Sequence, residues 1–132
     1  MNYLIDTHVL IWALLEPAKL NKKIERVLTE PKNNIFVSSV SLWEISLKFS
    51  LRKLSLIDFM PNQLPAMIQE TGFILIDMEA KDAATFYRLE KIDDHLDPFD
   101  RMLIWQSICR NMTLISVDRH FGDYSRFGAK VL

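Results

Sequence analysis

Two aspartates stand directly after runs of strand-forming residues. Asp6 follows "NYLI", and Asp118 closes "LISVD". Glu44 falls in "SLWE" and Asp100 in "DPFD", each in the first turn of an apolar helical pattern. Ligands of parallel α/β sheets bind beyond the carboxyl ends of the strands, so four carboxylates distant in sequence can converge on one crevice. Facing carboxylates cannot all stay ionised without a counter-charge. A divalent cation removes the conflict, and oxygen-only donors favour hard Mg²⁺ or Mn²⁺. Such an ion activates water and stabilises charge developing on a phosphate.

Each acid also has a plain local reading. Ser41 and Glu44 have capping-box spacing, with the hydroxyl at the N-cap and the carboxylate reaching back to its amide. Asp97, Pro98 and Asp100 read as N-cap, first and third helical positions, and the helix dipole favours the negative charge. Asp6 and Asp118 could be caps as well. Taken singly the acids are caps, and taken jointly they are a site. Asp97, one helical turn before Asp100, is left open as a further ligand.

The elements that must position these residues follow from hydrophobic patterning. "NYLI", "NIFVSS", "GFILI", "TLISV" and the closing "AKVL" are nearly all apolar, as suits strands buried on both faces of a parallel sheet. Between them lie helical patterns: Thr7 onward, then Leu20, Ile24, Val27 and Leu28 on one face ended by Pro31. "SLWEISLKFSLRKL", "EAKDAATFYRLEKI" and "DPFDRMLIWQSICR" follow. Alternating strands and helices imply right-handed crossovers and a three-layer α/β/α sandwich with a central parallel sheet of four to five strands.

Bulk properties set bounds on partners. The 132 residues, 49% hydrophobic and 25% charged, predict one domain over 1–132 with a single core. A net charge of -1 argues against binding nucleic acid through broad positive charge, though not against a metal-bridged contact. Cys109 cannot form an intrachain disulfide and, within an apolar helical stretch, is expected to be a buried, inert thiol. No signal peptide is visible, and "VLIWALL" is far shorter than the ~20 residues of a membrane span. A cytoplasmic protein is expected.

The motifs "LIDTHVLIW", "SSVSLWEI", "DPFDRMLI" and "LISVD", in this order, resemble the PIN domain and, within it, the VapC toxins of type II toxin-antitoxin pairs. The resemblance covers essentially the whole chain. It implies a Mg²⁺- or Mn²⁺-dependent endoribonuclease that leaves 3'-hydroxyl and 5'-phosphate ends. It also implies a cognate antitoxin, and a homodimer or a toxin-antitoxin hetero-oligomer. The family acids carry over as Asp6, Glu44, Asp100 and Asp118, as metal ligands and catalytic groups. Trp105 stands where the family usually has a small residue, which bears on how that helix packs.

Other residues carry weaker signals. His8, His95 and His120 lack zinc-ligand spacing, and His8 reads as a surface or packed imidazole near Asp6. Thr7 either orients a metal-bound water or caps its helix. Lys48, Arg52 and Lys53 suit a helix C-terminus or contact RNA phosphate. Trp12, Trp43 and Trp105 read as core or interface residues, and "DDHLDPFD" as a solvated loop ending in a cap. Two other functions compete. A phosphoaspartyl phosphatase typically needs a second Asp two residues after the first, where "DTH" has His8. A non-catalytic module would bind a helical partner in an apolar groove and use the acids as caps.

Overall fold

The computed structural model describes residues 1–92, 95 and 97–132. Its sheet has five strands in the order β3-β2-β1-β4-β5, all pairs parallel: β1 (Asn2–Ile5), β2 (Asn34–Ser38), β3 (Ile74–Ile76), β4 (Thr113–Ile115) and β5 (Lys130–Val131). The helices are α1 (Thr7–Leu15), α2 (Lys22–Thr29), α3 (Ser39–Ser50), α4 (Leu64–Glu70), α5 (Ala80–Thr85) and α6 (Pro98–Cys109). The expected five parallel strands and layered architecture are present. The chain winds one way from β1 to β3, then crosses back to lay β4 on the other side of β1, so the switch point falls between β1 and β4.

Strand pleating divides the apolar residues between two cores. Tyr3, Ile5, Ile35, Val37 and Ile115 point to one side and pack with Val9 and Leu10 of α1, Ile24 of α2 and Leu64 and Ile68 of α4. Leu4 and Leu114 point to the other, against Met102, Leu103 and Ile104 of α6 and the rings of Phe121 and Tyr124. Alternation hidden within all-apolar strands thus feeds two helical layers. Trp105 is half-buried against the second core, and its indole N–H donates to Thr85 Oγ1 at 3.2 Å, so the larger side chain docks α6 on α5.

Several local expectations are corrected. "EAKDAATFYRLEKI" is helical only to Thr85, followed by a 3-10 turn at Phe86–Arg88. Beyond it Leu89 and Ile92 are buried in the second core, and Arg101 Nη2 donates to the Leu89 carbonyl at 2.8 Å. Tertiary burial there outcompetes helix propensity. Leu20 precedes α2 rather than lying in it, and α4 and a 3-10 segment at Arg119–Phe127 were not anticipated. Cys109 is exposed, because as the last residue of α6 it faces away from the core that its helix covers. Among the described residues, no helix is long and apolar enough to cross a membrane.

Candidate active site

Asp6 and Asp118 end neighbouring strands, and the structure ties them together. The Asp6 amide donates to the Ile115 carbonyl at 3.0 Å, continuing the β1–β4 ladder to the sheet edge. Ser116 then bridges the acids: its hydroxyl donates to Asp6 Oδ2 at 2.6 Å and accepts from the Asp118 amide at 3.0 Å. Both acids are also caps. Asp6 Oδ1 accepts from the Val9 amide at 2.8 Å, and Asp118 Oδ1 from the His120 amide at 2.9 Å. Sequence reasoning missed Ser116, although a hydroxyl between a strand end and an acid in "LISVD" was the available signal.

Glu44 reaches the same region from another part of its helix than expected. Ser38, at the end of β2, accepts from the Val40 amide at 3.1 Å and is the true N-cap of α3. The helix therefore starts three residues earlier than the Ser41–Glu44 box implied, and Glu44 lies in its second turn. Glu44 is buried there, 3% exposed. Its Oε1 accepts from Thr7 Oγ1 at 2.6 Å, and its Oε2 pairs with Lys48 one turn later. Thr7 Oγ1 also lies 3.0 Å from Ser41 Oγ, from which it can accept. Thr7 thus orients a site carboxylate while Asp6 does the capping. Lys48 is engaged within the chain, rather than standing free with Arg52 and Lys53.

Asp97 is the N-cap of α6, with Oδ1 accepting from the Phe99 and Asp100 amides at 2.9 and 3.0 Å and Pro98 at the first position. Asp100, half-buried just beyond, has its pKa pushed up to about 7. Burial is the main cause, followed by the negative charges of Asp97, Glu44, Asp6 and Asp118. The other three carboxylates singled out in the sequence therefore all act on Asp100. Burial also raises the Asp6 pKa, against the lowering effect of its bonds from Ser116 and Val9. Asp118 is the exception: burial raises it, but the hydrogen bonds from the His120 amide and ring hold it below the usual range. For Lys48 desolvation is outweighed by Glu44, with help from Asp97 and Asp100, and its pKa rises.

One imidazole joins this group. His95 Nε2 lies 3.6 Å from Asp100 Oδ2, and single donor atoms of His95, Asp100 and Asp118 all lie within 4.8 Å of one another. Nδ1 of His95 is 2.9 Å from the Tyr124 hydroxyl, and its ring stacks on His120 at 5.5 Å and 8°. His120 Nδ1 in turn is 3.0 Å from Asp118 Oδ1. Zinc-type spacing could not reveal His95, because its partners are acids brought near by tertiary packing. His8 is exposed beside Trp12, as expected of a surface imidazole. Of the acid-rich stretch "DDHLDPFD", Asp93, Asp94 and Leu96 lie outside the described residues.

A shallow apolar groove of about 250 Å³, lined by Val40, Trp43, Met78, Phe86, Phe99 and Met102 among others, borders α3 and α6. Trp43, 58% exposed, meets Phe99 edge-on there at 5.0 Å, so it is a surface ring rather than a core one.

No curated protein matches the chain in sequence. Solved structures do match in fold. The chain superposes on VapBC2 from Rickettsia felis bound to a promoter DNA fragment with a TM-score of 0.65 and 18% identity, covering 100% of this chain and 98% of that one. DNA-bound VapBC from Salmonella typhimurium gives 0.68 and 17%, with 100% and 97% covered. VapBC-1 from nontypeable Haemophilus influenzae gives 0.67 and 16%, again with 100% and 97% covered. At these identities the likeness speaks for the fold alone. The family model for the PIN domain matches residues 3–126, nearly the whole chain and all four acids, and the chain belongs to the PIN domain family.

Proposed function

We propose that this chain is a Mg²⁺- or Mn²⁺-dependent endoribonuclease, the toxin of a type II toxin-antitoxin pair. PIN domain toxins are generally nucleases, and PIN domains generally depend on divalent metal. The observation that most supports the reading is the electrostatic conflict at Asp100, whose carboxyl is raised to about 7 partly by the other three acids. The donor chemistry fits a hard cation: Asp6, Asp100 and Asp118 would hold it through oxygen. When bound, such a cation supplies an activated water and offsets charge on the scissile phosphate.

The chain's own groups prepare that site. Ser116 fixes the Asp6 carboxylate, and the α6 N-cap at Asp97 sets where Asp100 projects. Thr7 holds Oε1 of Glu44, leaving Glu44 to bind the cation or to orient water, with Lys48 as its partner before substrate arrives. Hydrolysis leaves a 3'-hydroxyl and a 5'-phosphate. With a net charge of -1, RNA is engaged chiefly through the metal rather than a broad basic face.

The partner is an antitoxin, a reading that the likeness in fold to the VapBC structures supports. The groove at Trp43 and Phe99 suits the apolar face of a partner helix, and an Arg from the partner's tail suits the acids because guanidinium pairs bidentately with carboxylate. The chain acts in the cytoplasm as a homodimer or within a hetero-oligomer with the antitoxin.

A second reading has an observation in its favour, since Asp6, Asp97 and Asp118 do cap helical segments. It makes the chain a non-catalytic partner-binding module. Purified chain incubated with RNA separates the two readings. Cleavage in millimolar Mg²⁺ or Mn²⁺, abolished by EDTA and by Asp6→Asn, supports the nuclease, whereas full activity in EDTA would sink it. Growth arrest on expression, relieved by the neighbouring reading frame, supports the toxin. A well-expressed, soluble and harmless chain argues for the module.

A further inference from the structure

His95 is unusual among the groups around the acids. Its side chain is only 9% exposed, and Nε2 has no hydrogen-bond partner among the described residues. Asp100 Oδ2, at 3.6 Å, is beyond hydrogen-bond range. A buried nitrogen left without a partner calls for an explanation.

Tyr124 supplies one. Its hydroxyl lies 3.5 Å from the backbone carbonyl of His95, toward which it donates, and 2.9 Å from Nδ1. A cation at Nε2 requires the Nδ1–H tautomer, in which the Tyr124 oxygen accepts Nδ1–H and turns its own proton toward the carbonyl. That tautomer leaves the Nε2 lone pair free and aimed at the acids. Tyr124 is itself fully buried, so the orientation is built in rather than incidental. A second group on the far nitrogen of an imidazole is the usual mark of a metal-binding histidine.

The donors are close enough to share an ion. Donors about 2.1 Å from one octahedral ion stand roughly 3 Å apart when adjacent. The 3.6 Å between His95 Nε2 and Asp100 Oδ2 is about half an ångström wider, so ligation draws the two side chains together by a small movement. A lone pair facing an ionised carboxylate is repulsive until a proton or a cation sits between them.

Resting on the reading of the acids as a divalent-cation site, we propose that His95 is a direct ligand through Nε2, with Tyr124 its positioning residue. The ligand set is then mixed oxygen and nitrogen, not oxygen alone. Imidazole suits first-row transition ions better than Mg²⁺, so the site prefers Mn²⁺.

The test uses the full-length chain and the metals alone. Calorimetric titration with MnCl₂ and MgCl₂ should show tighter Mn²⁺ binding, and His95→Gln should weaken Mn²⁺ by about tenfold or more while changing Mg²⁺ far less. Pulsed electron spin resonance of the Mn²⁺-loaded chain should show modulation from a bound nitrogen that shifts when histidine is isotopically labelled and is lost in His95→Gln. Mn²⁺ binding without nitrogen modulation, or with modulation that survives His95→Gln, overturns the role of His95 and leaves the nuclease reading standing. Failure of the wild-type chain to bind either ion overturns both. If His95→Gln does not fold, His8→Gln and His120→Gln decide: modulation kept in both supports His95, and its loss in either refutes it.

Discussion

Thr7 Oγ1 donates to Glu44 Oε1 at 2.6 Å, joining the first residue of α1 to the second turn of α3 beneath the acids. Two helices distant in sequence thereby hold one buried carboxylate in place. Glu44→Gln tests what the charge does apart from the shape. The amide oxygen can still accept from Thr7, and Lys48, with a side chain 38% exposed, can still be solvated. The melting temperature should therefore shift by less than about 4 °C. Cleavage and growth arrest should be lost, making the antitoxin unnecessary. A variant as toxic as the wild type would remove Glu44 from the site.

Asp100 makes the apo protein sensitive to alkali. Its folded pKa of about 7 lies above the ordinary 3.8, so its contribution to stability is fully present below the unfolded value and is lost as pH rises through 7. Asp6, also raised, has the same sign. His95, lowered chiefly by burial, has the opposite sign: its contribution is present above the unfolded value of 6.5 and is lost as pH falls through the lower folded value. The difference between wild type and Asp100→Asn isolates the acid. In EDTA the variant should melt higher than wild type at pH 8, with the gap closing toward pH 4. Melting curves that stay parallel from pH 4 to pH 8 would contradict the repulsion described.

Divalent cation should reverse that trend. Because a proton on Asp100 competes with the ion, apparent Mg²⁺ or Mn²⁺ affinity should fall as pH drops below about 7. Titrations at several pH values measure this directly. Affinity that does not vary with pH would exclude Asp100 as a ligand.

Away from the crevice, Asp82 is 1% exposed and is held bidentately by Arg110 at 3.0 and 2.7 Å, with Gln106 Nε2 a further 3.4 Å contact. Burial tends to raise its pKa, but the Arg110 and Glu79 hydrogen bonds bring it below the usual range. Removing one partner strands a buried charge, so Arg110→Ala should cost about 3–5 kcal/mol in denaturant unfolding. Cation affinity of the folded fraction should be unchanged. A loss under ~1 kcal/mol would mean the pair adds no more than a surface ion pair does.

Cys109 provides a direct check on burial. Exposed at the end of α6, it should react completely with a thiol reagent in native buffer. Partial desolvation, then the Asp82 charge, raises its pKa, so reaction should be slower than for a free thiol. No reaction before unfolding would restore the sequence's expectation of a buried thiol.

Much of this protein is legible in its sequence because strands buried on both faces and acids at their ends leave local marks. The apolar runs from "NYLI" to "AKVL" locate all five strands, and the alternation of strand and helix determines that they run parallel. "DPFD" contains its own cap geometry, since Asp97, Pro98 and Asp100 act within one turn. Such features depend on neighbours in the chain. Other features depend on which surfaces meet. Whether Ser41 or Ser38 caps α3 turned on where β2 ended, and the bond from Thr7 to Glu44 on which faces of α1 and α3 meet. The exposure of Cys109 followed from which face of α6 meets the second core. His95 carries no local signal of its place beside Asp100, because a buried Tyr124 from the far end of the chain turns its ring. Residue types and spacing determined which acids could meet, while tertiary packing decided the hydroxyls, the lysine and the imidazole that surround them, since such contacts form only between elements already folded.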